Sequence, residues 1–458
     1  MIESLLHVLV GVVLLITFLK LSKATVLGGG AALVVILLVL KRAEYGLYCA
    51  AATIPLGMAG PIDSLHGTLT ITRLIFYLTA ASFILRCAVR RKVEGIPREK
   101  KNSVLLILAL VILLSAFTGL NFAESVTGIF HYYSCFLMYI MVILLVRDEI
   151  TYNRTLLFVV CPLTLALILG ILSYNLNLGF AARFSVSEAR RLTSTEFLGP
   201  NSFALLIVSI FPFAVNSYIH EREKSKRFLY LLWAGLLFYG TLLTYSRAST
   251  VTLIIVSLII LARSFDRLSR REIAGFAVAG ILILLLLPGL VFQRVESLSR
   301  GEDDPSLRSR LSYLKVGYEI FKDHPLLGVG PNNYRVAYAS PQYKSAGYLS
   351  ESNLEVGRER GRVGRAAHNM YAESLSELGI VGFALLLYLF YLGWKDVRAA
   401  EQLFRKANDE KSYRLTSSLE LGFLAFLLNS FFLSSGFFPI LWIFLGLSSA
   451  SLAIARGR

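Results

Sequence analysis

Two arginines and one histidine are the residues of this sequence best suited to group-transfer chemistry: Arg191, Arg247 and His368. An arginine carries a permanent charge on a planar fork that can hold a phosphate through two hydrogen bonds. A histidine can accept a proton near neutral pH. At a membrane surface, these residues would suit a lipid-linked diphosphate. The arginines would neutralise the charge that grows on the departing diphosphate, while the histidine orients or deprotonates an attacking hydroxyl.

The elements that must position these residues are apolar helices. The chain has 458 residues, of which 55% are hydrophobic and 17% charged, whereas soluble domains carry about a quarter charged residues. The apolar runs approach the length that crosses a bilayer as a helix. The sequence therefore predicts an all-α polytopic membrane protein with 12–14 transmembrane helices, of which the third, ninth and thirteenth are the weakest and could be re-entrant or interfacial. The candidate spans are 5–20, 25–40, 44–60, 68–88, 103–119, 126–146, 155–172, 200–219, 228–244, 248–263, 273–291, 371–394, 418–434 and 437–454.

The distribution of Lys and Arg predicts the orientation of these helices. Short loops on the cytoplasmic side of membrane proteins carry an excess of basic residues. With both termini inside, most of the basic residues in the short loops fall inside. This arrangement divides the chain into N-terminal spans (1–291), an extracytoplasmic loop (292–370) and C-terminal spans (371–458). Arg191, Arg247 and His368 then share the outer side.

The long loop is the only polar segment large enough to build a site. It begins with an amphipathic helix and then turns at Gly328, Gly330 and Pro331. The apolar residues of that helix recur every three or four positions: Leu307, Leu311, Leu314, Tyr318 and Phe321. The following segment, 351–365, is rich in Gly and Arg and has no period, so it suits a polyanionic or glycan ligand.

Four pieces of the chain, in this order, resemble the O-antigen ligase and polymerase family of bacterial membrane proteins. The first piece is Arg191 followed by Gly199-Pro200-Asn201-Ser202-Phe203-Ala204, which is similar to the family's entry into a span. The second is Tyr245-Ser246-Arg247-Ala248, which is similar to a turn of the family, with Ala248 where Gly is more usual. The third piece is the stretch from Arg310 to Tyr334, in which Tyr313-Leu314-Lys315 leads to His324-Pro325-Leu326-Leu327-Gly328-Val329-Gly330. The fourth runs from His368-Asn369 through Glu377 to Gly379 and Gly382. Together the pieces cover roughly residues 190–382.

The resemblance implies an inverting, metal-independent glycosyltransferase of the GT-C type in the bacterial inner membrane, without a cofactor. Its donor would be an undecaprenyl-diphosphate-linked glycan, and its acceptor either another glycan repeat (polymerase) or a lipid A core (ligase). The implied catalytic residues are Arg191 and Arg247, which would hold the diphosphate, and His368, which would serve the acceptor. Expected substrate-binding residues are Arg190, which is ambiguous with Arg191, and Tyr245, Asn369, Glu377 and Arg310.

Structural interpretations compete with each of these assignments. Arg190, Arg191 and Arg247 could anchor to lipid headgroups, and His368 could be a helix-capping loop residue. Glu373 and Glu377 could be first-turn acids that the helix dipole favours. Arg73, inside the fourth span, is expected to pair locally rather than bind substrate.

Other site classes have less support. The run Glu302-Asp303-Asp304 precedes Pro305, and a helix N-terminus explains it better than a metal site. The four cysteines show no CxxC spacing, so no zinc site is expected. The net charge of +16 belongs largely to loops, so no nucleic-acid partner is expected. The expected partners are the lipid bilayer and other envelope-assembly proteins. A lipid or solute transporter and a non-catalytic scaffold remain alternatives, although no matched pair of interrupted spans appears.

Overall fold

The computed structural model describes residues 25–56, 70–89, 99–176, 191–193, 198–269, 272, 275, 305–344 and 365–457, with regular elements that are all helical. The α-helices are α1 (Thr25–Lys41), α2 (Ala43–Ala52), α3 (Ile71–Val89), α4 (Lys100–Phe117), α5 (Phe122–Leu145), α6 (Glu149–Leu176), α7 (Pro200–His220), α8 (Lys224–Leu243), α9 (Arg247–Arg263), α10 (Pro305–Asp323), α11 (Tyr334–Ala339), α12 (Pro341–Lys344), α13 (Met370–Lys406), α14 (Glu410–Asn429) and α15 (Pro439–Arg456).

Eight of the described helices, α3 to α7 and α13 to α15, are long and apolar enough to cross a membrane. This confirms an all-α polytopic membrane protein. The predicted spans 5–20 and 273–291 lie outside the described residues, apart from residue 275. Helices α1, α2, α8 and α9 occupy the other predicted spans but are not among the eight. Helix α2 has only 10 residues and gives way to a 3₁₀ turn containing Pro55, since proline lacks the N–H that continues a helix.

The helices alternate between two ends of the bundle. We call one the loop end: there the connection from α4 to α5 and the start of α13 contact the turn 325–334. At the opposite end, the buried Lys101 of α4 pairs with Asp396 of α13 at 2.5 Å. Also toward that end, the fully buried carboxylate of Glu420 accepts hydrogen bonds from Arg263 at 2.5 Å and from Arg398 at 3.3 Å.

The core of the bundle lies where α15 packs among α5, α13 and α14. The first turns of α15, from Ile440 to Leu445, are fully buried. Close approach to α7 depends on Gly422 of α14, because a Cβ there would lie 2.4 Å from the carbonyl oxygen of Ser209. This packing fixes the loop-end termini of the helices that carry the candidate site.

Helix α10 packs with a different face from the one that its apolar stripe suggests. Leu311, Leu314 and Tyr318 are exposed, whereas Val316 and Ile320 are fully buried. The hydroxyl of Ser376 in α13 donates to the carbonyl of Gly317 at 3.1 Å, so the buried face of α10 adjoins α13. Small side chains allow this close contact, which the apolar periodicity alone does not reveal.

Candidate active site

The first half of the site is built around Arg191. Its Nε donates to the carbonyl oxygen of Thr244 at 3.0 Å, and its Nη2 donates to Oδ1 of Asn201 at 2.8 Å. The next residue reinforces the contact, since Leu192 N–H donates to the carbonyl of Leu243 at 2.9 Å. The structure therefore brings the segment before α7 onto the corner between α8 and α9, so that Arg191 lies beside the turn that carries Arg247.

That corner is a tight turn held from below. Tyr245 has a φ of 53°, in the left-handed region that non-glycine residues seldom adopt. Ser246 occupies the N-cap position, and Arg247 begins α9 with an exposed side chain. The hydroxyl of Ser249, one turn on, contacts Ser246 at 3.0 Å and accepts from Asn429 at 2.8 Å. These contacts fix the turn, and Arg247 extends from a rigid base.

The second half of the site depends on a break in α13 at Gly379, where φ is 61° and ψ is −170°. The turn 325–334 pairs with this break along the backbone. Val329 N–H donates to the carbonyl of Ser376 at 3.0 Å, and Gly330 N–H to that of Glu377 at 3.0 Å. In the other direction, Ile380 N–H donates to the carbonyl of Pro325 at 2.8 Å. The third and fourth of the pieces that resemble the family therefore form one paired unit.

Glu377 is buried within this unit, at 2% exposure. Its Oε1 accepts a hydrogen bond from the N–H of Tyr334 at 3.1 Å. The turn is also tied to the start of α5, where Asn332 donates to Glu124 and Asn333 to Ser125, both at 2.7 Å. The contacts of Glu377 therefore hold the start of α11 in place.

His368 lies immediately before α13 and has a φ of 49°. Its ring, which retains an exposed surface, lies 5.7 Å from the ring of Tyr313 in α10. The next residue, Asn369, caps α13, since its Oδ1 accepts from Tyr371 N–H and Ala372 N–H at 2.9 Å each. The cap fixes the backbone on which His368 is held.

The imidazole is partly desolvated, and three arginines from separate elements act on it through their charge. This partial desolvation, together with the positive charges of Arg310, Arg335 and Arg365, lowers the pKa of His368 to about 4. A neutral imidazole at physiological pH can accept a hydrogen bond or a proton. His368 is therefore neutral at physiological pH, with Arg310 as one of the cations that act on it.

The last turn of α14 joins the two halves. Tyr371, at the start of α13, donates its hydroxyl to the carbonyl of Leu427 at 2.8 Å and packs on Phe431 with ring centroids 4.3 Å apart. Asn429, in the same turn, contacts Ser249 beneath Arg247. The Arg191–Arg247 corner and the His368 segment therefore share the loop end, linked through α14.

Two residues near His368 did not emerge from the sequence: Arg335 and Arg365. Each belongs to a loop rich in basic residues, where no periodicity or spacing distinguishes one arginine from another. Arg335 had one usable signal, since it follows the Gly-Pro-Asn-Asn-Tyr turn that fixes its position. Arg190 and the acidic run 302–304 lie outside the described residues, as do residues 351–364. Within the part of the chain that the structure describes, no group of three His, Cys, Asp or Glu side chains could hold a metal ion.

Comparison with known families bears on this geometry. Residues 232–387 match the O-antigen ligase family. The resemblance seen in the sequence is therefore confirmed over this O-antigen ligase domain, about a third of the chain. The domain includes Arg247, Arg310, His368 and Glu377, but it begins after Arg191 and Asn201. It supports a membrane protein that transfers glycans, as a ligase or a polymerase. No curated protein matches the sequence.

Proposed function

We propose that this protein transfers a glycan from an undecaprenyl-diphosphate donor to a hydroxyl acceptor on the outer face of the cytoplasmic membrane. The observation that carries the proposal is the pairing of Arg191 with the Thr244 carbonyl, which places Arg191 beside the fixed turn that carries Arg247. A diphosphate carries the charge that such a pair would neutralise. The O-antigen ligase domain supports the same class of reaction.

In the proposed reaction, the acceptor hydroxyl oxygen attacks the anomeric carbon of the donor sugar from the side opposite the diphosphate. The bond between that carbon and the diphosphate oxygen breaks, so the anomeric configuration inverts. The hydroxyl proton passes to the neutral imidazole of His368. Undecaprenyl diphosphate leaves with the electron pair of the broken bond, and its added negative charge is stabilised by the arginines.

The two arginines have different parts in this proposal. Arg191 uses Nε and Nη2 to hold the turn and Asn201, so it positions the corner and adds charge. Arg247 extends from the first position of α9 and makes the direct contact with the diphosphate. Tyr245 shapes the turn, while Asn369 and Glu377 fix the backbone beneath His368 and the loop. Arg190 is proposed as a second cation beside Arg191. The positive charge then replaces a metal ion, and the reaction proceeds without one.

The acceptor separates the two forms of this function. Purified protein in detergent, with EDTA, would be given a lipid-diphosphate-linked repeat alone or together with a lipid A core acceptor. A ladder of longer lipid-linked glycans from the repeat alone identifies a polymerase. Transfer only after the core is added identifies a ligase. Absence of transfer in both, with the protein folded, contradicts the proposed function.

A further inference from the structure

The imidazole of His131, in α5, is buried inside the bundle. Its side chain is 9% exposed, and neither ring nitrogen has a hydrogen-bond partner within the described structure. The ring packs against Phe437, with centroids 5.0 Å apart. Because leaving a buried polar group unpaired costs free energy, such a group calls for a ligand or an ordered water.

Two arginines from other elements act on this imidazole through their charge. Arg73 of α3 is 2% exposed, and Arg335 of α11 is exposed at the loop end. Both act electrostatically on His131. Charged side chains inside a membrane bundle are costly and by default mark a functional site. Two guanidinium groups that act on one buried imidazole would suit an oxyanion, which can accept hydrogen bonds from all three.

The position of Arg335 over α5 is fixed by the preceding turn. Pro331 packs so closely on Gly128, one helical turn before His131, that a Cβ on this glycine would lie 2.6 Å from the carbonyl carbon of Pro331. The hydrogen bonds of Asn332 and Asn333 to the start of α5 hold the same register. These contacts fix the backbone from which the Arg335 side chain extends.

Two carboxyl groups lie within the electrostatic reach of Arg335, those of Glu373 and Glu377. Glu377 accepts a hydrogen bond from the N–H of Tyr334. Arg335 acts on both of them and on both histidines, His131 and His368. Arg335 therefore links the buried imidazole electrostatically to the imidazole of the proposed acceptor site.

We infer that His131, Arg73 and Arg335 form a second phosphate-binding site at the loop end, distinct from the one at Arg247. The phosphate could belong to the head group of a bilayer phospholipid or to the diphosphate of a second lipid-linked glycan. The inference that a phosphate binds here depends only on His131, Arg73 and Arg335. The assignment of that phosphate to a second lipid-linked glycan rests, in addition, on the proposed function.

Binding of radiolabelled inorganic pyrophosphate to the purified protein in detergent, measured by equilibrium dialysis, tests the inference. The wild-type protein should bind two pyrophosphates per chain, and the Arg335→Gln and His131→Gln variants one each. Loss of the second site appears as at least a tenfold weaker affinity. The Lys315→Gln variant is the matched control, since Lys315 is an exposed cation of α10 that does not belong to the proposed site. This variant should bind two pyrophosphates, as the wild type does.

The Arg247→Gln variant separates this inference from the proposed function. If Arg247→Gln keeps both sites while Arg335→Gln loses one, the proposed diphosphate role of Arg247 fails and the second site stands. If Arg335→Gln and His131→Gln both bind pyrophosphate as the wild type does, the second site is overturned.

Competition then assigns the source of the phosphate. The same measurement is repeated in nanodiscs of phosphatidylcholine, with phosphatidylglycerol or with a short-chain polyprenyl diphosphate added. Displacement of the Arg335-dependent pyrophosphate by phosphatidylglycerol identifies a bilayer head group. Displacement by the polyprenyl diphosphate alone identifies a lipid-linked substrate. If neither lipid displaces it, the site does not take a lipid phosphate and the inference is wrong.

Discussion

The buried carboxylate of Glu377 accepts a hydrogen bond from the backbone N–H of Tyr334 at 3.1 Å, although 43 positions separate the two residues. This contact crosses from a membrane helix to the loop that carries Arg335. It is made where α13 is unwound, so that backbone pairing and a side-chain acceptor act together. The loop is thereby docked by specific polar contacts rather than by apolar packing alone.

Glu377→Ala should loosen this docking. The substitution leaves a buried N–H without its acceptor, at a cost of about 1–3 kcal/mol. Glu377→Gln keeps an oxygen in place and should cost less. Hydrogen exchange of the peptide containing residues 331–339 provides the measurement, and it should quicken in the alanine variant and far less in the glutamine variant. Equal exchange in the wild type and Glu377→Ala would show that the contact does not hold the loop.

Gly379→Ala should destabilise the protein more than most helix substitutions do. The backbone at Gly379 has a φ of 61° and a ψ of −170°, and an added Cβ would lie 2.3 Å from the carbonyl of Leu326. Strain of this kind costs roughly 1–3 kcal/mol before any displacement of the loop. The midpoint temperature of thermal unfolding in detergent should be clearly lower for Gly379→Ala than for the wild type. Gly235→Ala is the control, because nothing lies within 4 Å of its Cβ, and unchanged unfolding of Gly379→Ala would contradict the account.

Much of the fold follows from the sequence, because apolar runs of the required length have few alternatives in a bilayer. The break at Gly379 does not follow, since the apolar pattern continues through it and the pairing with Pro325 comes from a distant segment. The packing face of α10 was also hidden, because its conspicuous leucines are exposed while Val316 and Ile320 pack inward. Arg191 could be singled out as a candidate, but its hydrogen bond to Thr244 is a tertiary contact that spacing cannot reveal.

The rate of transfer should depend on pH through His368. Its pKa of about 4 lies below the ordinary value of 6.5, so the neutral, basic form is complete at pH 7 and is lost only as the pH falls toward 4. In Arg310→Gln one repelling charge is gone, so the pKa rises and the acid limb of the rate profile moves to higher pH. His368→Gln should lose roughly 10²–10⁴-fold in rate. A limb that does not move in Arg310→Gln would contradict the electrostatic explanation.

The free energy of unfolding should also depend on pH through His368. Because the folded pKa of His368 is depressed, the unfolded chain binds more protons between about pH 6.5 and 4. The contribution of His368 is therefore fully present above pH 6.5 and is lost as the pH falls toward 4. The free energy of unfolding is measured for the wild type and for His368→Gln across this pH range, and the difference between them isolates the effect. If that difference does not change with pH, His368 makes no such contribution.

Glu420→Ala should destabilise the opposite end of the bundle. Its fully buried carboxylate accepts from Arg263, Arg398 and the indole N–H of Trp394. Removing one partner of a buried ion pair costs about 3–5 kcal/mol. Glu410→Ala, which breaks the exposed pair with Arg267, should cost at most about 1 kcal/mol. Similar unfolding of the two variants would show that Glu420 does not bind the helices together.

The most direct test of the central claim is glycan transfer by purified wild-type, Arg247→Ala and Lys315→Ala proteins in detergent. Each protein receives the same lipid-diphosphate-linked donor, with both candidate acceptors present. Arg247→Ala should lose at least about 100-fold in rate while its thermal unfolding stays unchanged, and Lys315→Ala should keep the wild-type rate. Transfer by Arg247→Ala at the wild-type rate would contradict the claim that this arginine stabilises the departing diphosphate.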